Sequence, residues 1–113
     1  MGIEGTKPEQ RVRLARPPGG FKIHLEPAVA ALVDQFCQRS DSHQAYWKDI
    51  VARLGFTAHV EGVADERFGS GHRLWATVGD SQRDLPRVRL VYVVLGQFVR
   101  IKVAHFDEAD RSV

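Results

Sequence analysis

Among its 113 residues the chain has one cysteine, Cys37. That excludes an internal disulfide and a cysteine-rich metal site. Its place on a helical apolar stripe assigns it to the core. No apolar run is long enough to cross a bilayer, and the polar first residues are not a signal peptide. The expectation is an intracellular, cytoplasmic protein without a membrane partner. A Gly-rich phosphate loop, a serine elbow and any His/Cys/Asp cluster with zinc-like spacing are all missing. Neither a metal nor a small-molecule cofactor is therefore expected. Net charge is only +2, so the overall balance argues weakly for a polyanionic partner. The most telling gap is local: no Asp or Glu occurs from Leu85 through Phe106.

That acid-free stretch is also the easiest to fold. Val88 to His105 reads VRLVYVVLGQFVRIKVAH, and Gly96-Gln97 suits a two-residue hairpin turn whose first position needs a positive φ. The turn sets Val94 opposite Val99, Tyr92 opposite Ile101 and Leu90 opposite Val103. Because side chains alternate across a sheet, one face carries Val88, Leu90, Tyr92, Val94, Val99, Ile101 and Val103, with His105 at its end. The other carries Arg89, Val91, Val93, Arg100 and Lys102, with Arg87 just before. The first face is a core and the second is cationic.

Elsewhere the chain divides simply. Residues 1–20 combine Gly, Pro and the arginines Arg11, Arg13 and Arg16 without hydrophobic periodicity, which predicts a flexible basic arm. Residues 21–113 are long enough for one domain. Phe21 to Leu25 alternates as a strand, with Lys22 and His24 on its polar side. Glu26-Pro27 starts a helix with the stripe Val29, Leu32, Val33, Phe36 and Cys37. Ser40-Asp41-Ser42 breaks it and offers a cap for a second helix. That helix carries Tyr46, Trp47, Ile50, Val51 and Leu54, and stops at Gly55. Phe56 to Gly71 is a loop with a frayed strand at most. His72 to Val78 alternates again, with Leu74, Ala76 and Val78 toward the core and Arg73, Trp75 and Thr77 away from it. The order strand-helix-helix-strand-strand-strand predicts an α+β, two-layer sandwich, an antiparallel helical hairpin packed on a mostly antiparallel curved sheet.

On that plan the exposed sheet face collects Lys22, His24, Arg73, Trp75, Arg87, Arg89, Arg100 and Lys102. An aromatic ring among arginines is the combination that holds single-stranded RNA, by stacking and phosphate contact. His24, His72 and His105 lie near the sheet as proton-transfer candidates, and His24 is on the basic face by parity. Lys102 lies on the same face and contributes charge.

Arg89-Leu90-Val91-Tyr92, the Gly-containing turn and the apolar strand Phe98 to Ala104 resemble the RelE/ParE superfamily of bacterial toxin-antitoxin toxins. Gly71-His72-Arg73-Leu74-Trp75 is similar to the Gly-x-(Arg/Lys)-Leu strand before it, and the likeness spans roughly residues 21–106. The resemblance implies a RelE-like fold and a toxin paired with a cognate antitoxin. Its ribonuclease branch cuts messenger RNA, commonly on the ribosome, without a metal. It implies that Arg89 holds the scissile phosphate while the 2′-hydroxyl attacks. Lys102 would add charge, and His24 or His105 would move the proton. Arg73, Trp75, Arg87, Arg100 and Lys22 would bind RNA. In place of the basic tail and terminal tyrosine of the active ribonucleases stands Phe106-Asp107-Glu108-Ala109-Asp110. Two alternatives therefore stay open: a ParE-like toxin that binds a protein target such as DNA gyrase, and a non-catalytic nucleic-acid-binding module.

Overall fold

The computed structural model describes residues 17–107, so most of the expected basic arm lies outside the described residues. Its end does not. The Gly20 N–H donates to the Pro17 carbonyl at 2.9 Å and the Phe21 N–H to the Gly55 carbonyl at 2.7 Å. A Cβ on Gly20, which sits at φ +88°, would come within 2.7 Å of that same carbonyl oxygen. Residues 17–20 thus form a turn docked on a helix end.

The elements are β1 (Lys22–Leu25), α1 (Pro27–Cys37), α2 (Asp41–Thr57), β2 (Val63–Ala64), β3 (His72–Ala76), β4 (Arg87–Leu95) and β5 (Phe98–Asp107). Short 3₁₀ turns occupy Glu66–Phe68 and Ser81–Arg83. The sheet order is β1-β5-β4-β3-β2, with β1 parallel to β5 and every other pair antiparallel. Both helices cover one face, giving the two-layer α+β sandwich that the sequence predicts. Among the described residues no helix is long and apolar enough to cross a membrane.

Local chemistry explains the helices. Pro27 opens α1, where a missing N–H costs nothing. The Ser40 side chain accepts from the His43 N–H and caps α2. Val29, Val33, Phe36, Trp47, Ile50 and Leu54 meet Val88, Leu90, Tyr92, Val99 and Ile101 in one core. Two expectations shift here. Leu32 is 43% exposed, and Gly55 does not stop α2, which runs on to Thr57. The close crossing there depends on Gly20, since a Cβ on Gly55 would meet the Phe21 carbonyl only at an ordinary 3.5 Å.

The hairpin turn is as expected: Gly96 has φ +60°, and Val94 faces Val99 while Tyr92 faces Ile101. Beyond that the register slips. Val91 pairs Val103 and Leu90 pairs Ala104, with the shift between Val91 and Tyr92. Lys102 is the extra residue of a β-bulge. The bulge turns Ala104 and Phe106 inward, where the Phe106 ring stacks on Phe36 at 4.5 Å and 20°. Val103 and His105 are turned outward. The predicted pairing of Leu90 with Val103, and the place of His105 on the core face, are therefore corrected. Burying Phe106 outweighs burying an imidazole.

Strand β3 has the opposite parity from that predicted. Arg73 pairs Tyr92 and Trp75 pairs Leu90, so both side chains lie on the helix side. Trp75 is buried, and its indole N–H donates to Glu61 Oε1 at 3.0 Å. The Arg73 guanidinium donates to the carbonyls of Glu61 at 2.6 Å and Gly62 at 3.1 Å. Leu74 and Ala76 go outward, because Leu74 pairs Val91 and Ala76 pairs Arg89.

Glu61 ties these parts together. Its carboxylate accepts from Arg53 Nε at 2.6 Å, Thr57 Oγ1 at 2.6 Å and the Trp75 indole. Its carbonyl accepts from Arg73 and from the Tyr92 hydroxyl at 2.9 Å. The Arg53 hydrogen bond, opposed by partial burial and aided by Thr57 and Trp75, holds the carboxyl at about 2 against an ordinary 4.5. A carboxyl whose folded pKa is lowered stabilises the fold above its ordinary value. That contribution is lost as pH falls from 4.5 toward about 2. Urea unfolding of Glu61→Gln at neutral pH is expected to show a loss of roughly 1–3 kcal/mol against wild type, the worth of hydrogen bonds to a charged group. At about pH 3 the difference should narrow, since the carboxyl is then protonated in the unfolded chain, where its value is an ordinary 4.5, and unfolding takes up a proton. An equal difference at both pH values would show that Glu61 does not carry the acid sensitivity.

Candidate functional site

The sheet face away from the helices is built from alternate residues of every strand. On β1 these are Lys22 and His24, opposite Phe98 and Arg100 of β5. Toward the other end of β5, His105 faces Arg89, Asp107 faces Arg87, and Val103 faces Val91. Leu74 of β3 continues the last row, and Val63 of β2 lies beyond it. The 3₁₀ turn at Glu66–Phe68 folds back over this part of the sheet. Together these residues enclose a cleft of about 240 Å³, with Leu74, Val91 and Val103 as floor and Arg67, Phe68, Arg89 and His105 around it.

Arg89 and His105 are the expected site residues that meet in this cleft. Asp107 joins them. One carboxylate oxygen, Oδ1, accepts from Arg89 Nη2 at 2.8 Å and lies 2.7 Å from His105 Nε2. The Arg89 hydrogen bond first, and then the charges of Arg89, His105 and Arg87, hold the Asp107 carboxyl below its ordinary range. It is thus an anion held beside two basic groups, Arg89 by a hydrogen bond and the His105 imidazole by proximity at 2.7 Å. Arg89 is only partly engaged, for its Nε is buried without an acceptor. The Arg89 side chain is nevertheless 43% exposed, so the rest of its guanidinium is open to an incoming anion.

The other expected residues do not gather here. Arg73 and Trp75 are removed from the face altogether, because the loop before β3 supplies partners for both on the helix side. His24 packs its ring 4.5 Å from Phe98, beside Arg100. Five residues along β5 separate that position from His105, roughly 16 Å at strand rise. His24 therefore cannot share a proton transfer with Arg89. Arg100 and Lys102 point toward Glu26 Oε2 at 3.5 and 3.8 Å. Lys22, Arg87, Arg100 and Lys102 are exposed. The face is therefore not cationic alone. Glu26, just before α1, and Asp107, the first residue after the acid-free stretch, bring two carboxylates onto it.

Sequence reasoning missed Phe68 and Arg67, and gave Asp107 no specific partner. A spacing clue for His105 and Asp107 was present. Val99 and Ile101 alternate, then two residues, Lys102 and Val103, separate Ile101 from Ala104 before Phe106 follows, which is the trace of a bulge. Phe68 left no such clue, since an isolated Phe in a Gly-rich loop has no periodicity. Among the described residues no three His, Cys, Asp or Glu side chains are grouped to hold a metal ion.

Comparison with protein-family models, curated proteins and solved structures gives no match. The two carboxylates set the strength of the face toward polyanions, because surface charges act within about 10 Å at ordinary ionic strength. Glu26→Gln is expected to raise the salt concentration that elutes the protein from heparin, and Arg100→Ala to lower it. Unchanged elution of both variants would mean that this face does not meet the polyanion.

Proposed function

We propose that this protein is a RelE-like toxin, the partner of a cognate antitoxin, acting in the cytoplasm as a metal-independent endoribonuclease on messenger RNA. The carrying observation is the meeting of Arg89, His105 and Asp107 on the open face, with Asp107 Oδ1 at 2.8 Å from Arg89 and 2.7 Å from His105. The agreement of the element order and of Arg89-Leu90-Val91-Tyr92 with that superfamily supports it.

In this scheme the His105 imidazole takes the proton from the 2′-hydroxyl. The O2′–P bond forms, Arg89 neutralises the charge that builds on the phosphorane oxygens, and the P–O5′ bond breaks. Solvent supplies the proton to the leaving 5′ oxygen, and a 2′,3′-cyclic phosphate remains. Electrostatic stabilisation by one such donor is worth about 10²–10³ in rate. A positioned general base is worth about 10²–10⁴. Asp107, 2.7 Å from the His105 ring, stabilises the imidazolium that then forms, and Lys102, Arg100, Arg87 and Lys22 guide the backbone of the RNA electrostatically.

A second reading has its own observation. Glu26 sits within 4 Å of both Arg100 and Lys102, and Asp107 holds Arg89, so much of the basic charge is internally matched. That suits a ParE-like toxin that grips a protein target, such as DNA gyrase, and cuts nothing.

Purified protein incubated with ribosomes and message, with cut sites mapped by primer extension, separates the two. Cleavage is expected, reduced at least about 10²-fold in Arg89→Ala and comparably in His105→Gln. Growth arrest on expression should disappear with Arg89→Ala. Intact message together with persistent arrest favours the protein-target reading. Cleavage undiminished in both variants would place the chemistry elsewhere.

A further inference from the structure

Phe68 is not explained by folding. It is 45% exposed, yet the turn that carries it is closely held. The Asp65 side chain caps that turn at the Arg67 N–H, and the Asp65 N–H donates to the His72 carbonyl at 2.9 Å. The His72 N–H donates to the Gly69 carbonyl at 3.3 Å. Gly69 has φ +122°, and a Cβ there would meet the His72 ring at 3.1 Å. These restraints hold an aromatic ring at the cleft mouth with its neighbours Leu74, Val91 and Val103 below. Val103 is itself 39% exposed. The Arg67 guanidinium lies 5.8 Å from the Phe68 ring centroid and is held by Asp65 through two hydrogen bonds, at 2.8 and 2.6 Å.

A ring and an apolar floor between Arg67 and Arg89 fit a flat, apolar-faced group joined to an anion. A nucleobase on its phosphodiester backbone is such a group. An apolar peptide side chain would use the floor but bring no anion to the exposed part of the Arg89 guanidinium. We propose that Phe68 is the stacking platform for one base of single-stranded RNA, next to the phosphate that Arg89 holds. The proposal rests on the RNA-cleaving reading above and gives that site a base-recognition subsite. Phe68 takes over the role that the sequence suggested for Trp75, which the fold buries.

The test uses fluorescence anisotropy with short labelled single-stranded RNA, one version intact and others abasic at a single position. Phe68→Ala is expected to weaken binding of intact RNA about ten-fold, the loss of one stacked base, without changing the salt slope. Phe68→Trp should bind as wild type does, with indole emission quenched on binding. For one of the abasic RNAs, wild type and Phe68→Ala should bind equally. Arg89→Ala should instead lower the salt slope by about one phosphate contact. Circular dichroism confirms folding, which this exposed side chain does not support. If Phe68→Ala binds every RNA as wild type does while Arg89→Ala is weakened, the subsite is overturned and the RNA reading stands. If wild type binds none of the RNAs, the RNA reading itself falls, and with it the subsite. The cleft then belongs to a protein side chain.

Discussion

The stacking of Phe106 on Phe36 is the contact on which the open face depends. It requires β5 to turn a ring inward one residue later than simple alternation allows. Lys102 absorbs the difference as a bulge. Every side chain before the bulge keeps its expected face, and every one after it changes. His105 and Asp107 reach Arg89 only because of that change. Core packing at one end of a strand has thus set the polar constellation on the other side of the sheet. The cost of refusing the bulge would be a buried imidazole and an exposed phenyl ring, an exchange that burial energetics disfavours.

Glu61 plays the corresponding part at the opposite edge. It anchors the chain between α2 and β3 through its carboxylate and its carbonyl at once, and it supplies the partners that let Arg73 and Trp75 turn toward the helices. With Trp75 inside, the outward positions of β3 are left to Leu74 and Ala76. The loop then returns to cover Leu74 with the turn that bears Phe68. The shape of the cleft follows from which of two alternating sets had hydrogen-bond partners available.

The sequence was legible where one local rule acted alone. Pro27, Ser40 and Gly96 each marked a boundary by backbone chemistry that does not depend on distant residues. The apolar stripes of both helices and the core face of β4 were clear for the same reason. Failure came where two rules competed. Leu74-Trp75-Ala76 has apolar residues on both parities, and only the partner at Glu61, fourteen residues away, decides between them. Val103 continued a perfect alternation that the tertiary demand of Phe106 overrode. Arg89 and its basic neighbours were found, but of their carboxylate partners Asp107 lies at the end of the acid-free run and Glu26 far from it in sequence. Pairing of that kind is set by register and strand ends, which local patterning does not encode.

The pairing of β1 with β5 joins Lys22 to Phe98 and Leu25 to Ile101, almost the greatest separation the described chain permits. Such a contact closes late, since loop entropy must be spent before it forms. While synthesis proceeds from the amino end, the helical hairpin can coil up early. Its covering sheet must wait for the final strand. Until β5 pairs with β4, Arg89 meets neither His105 nor Asp107. The polar constellation on the open face is therefore complete only once the whole of β5 is in place.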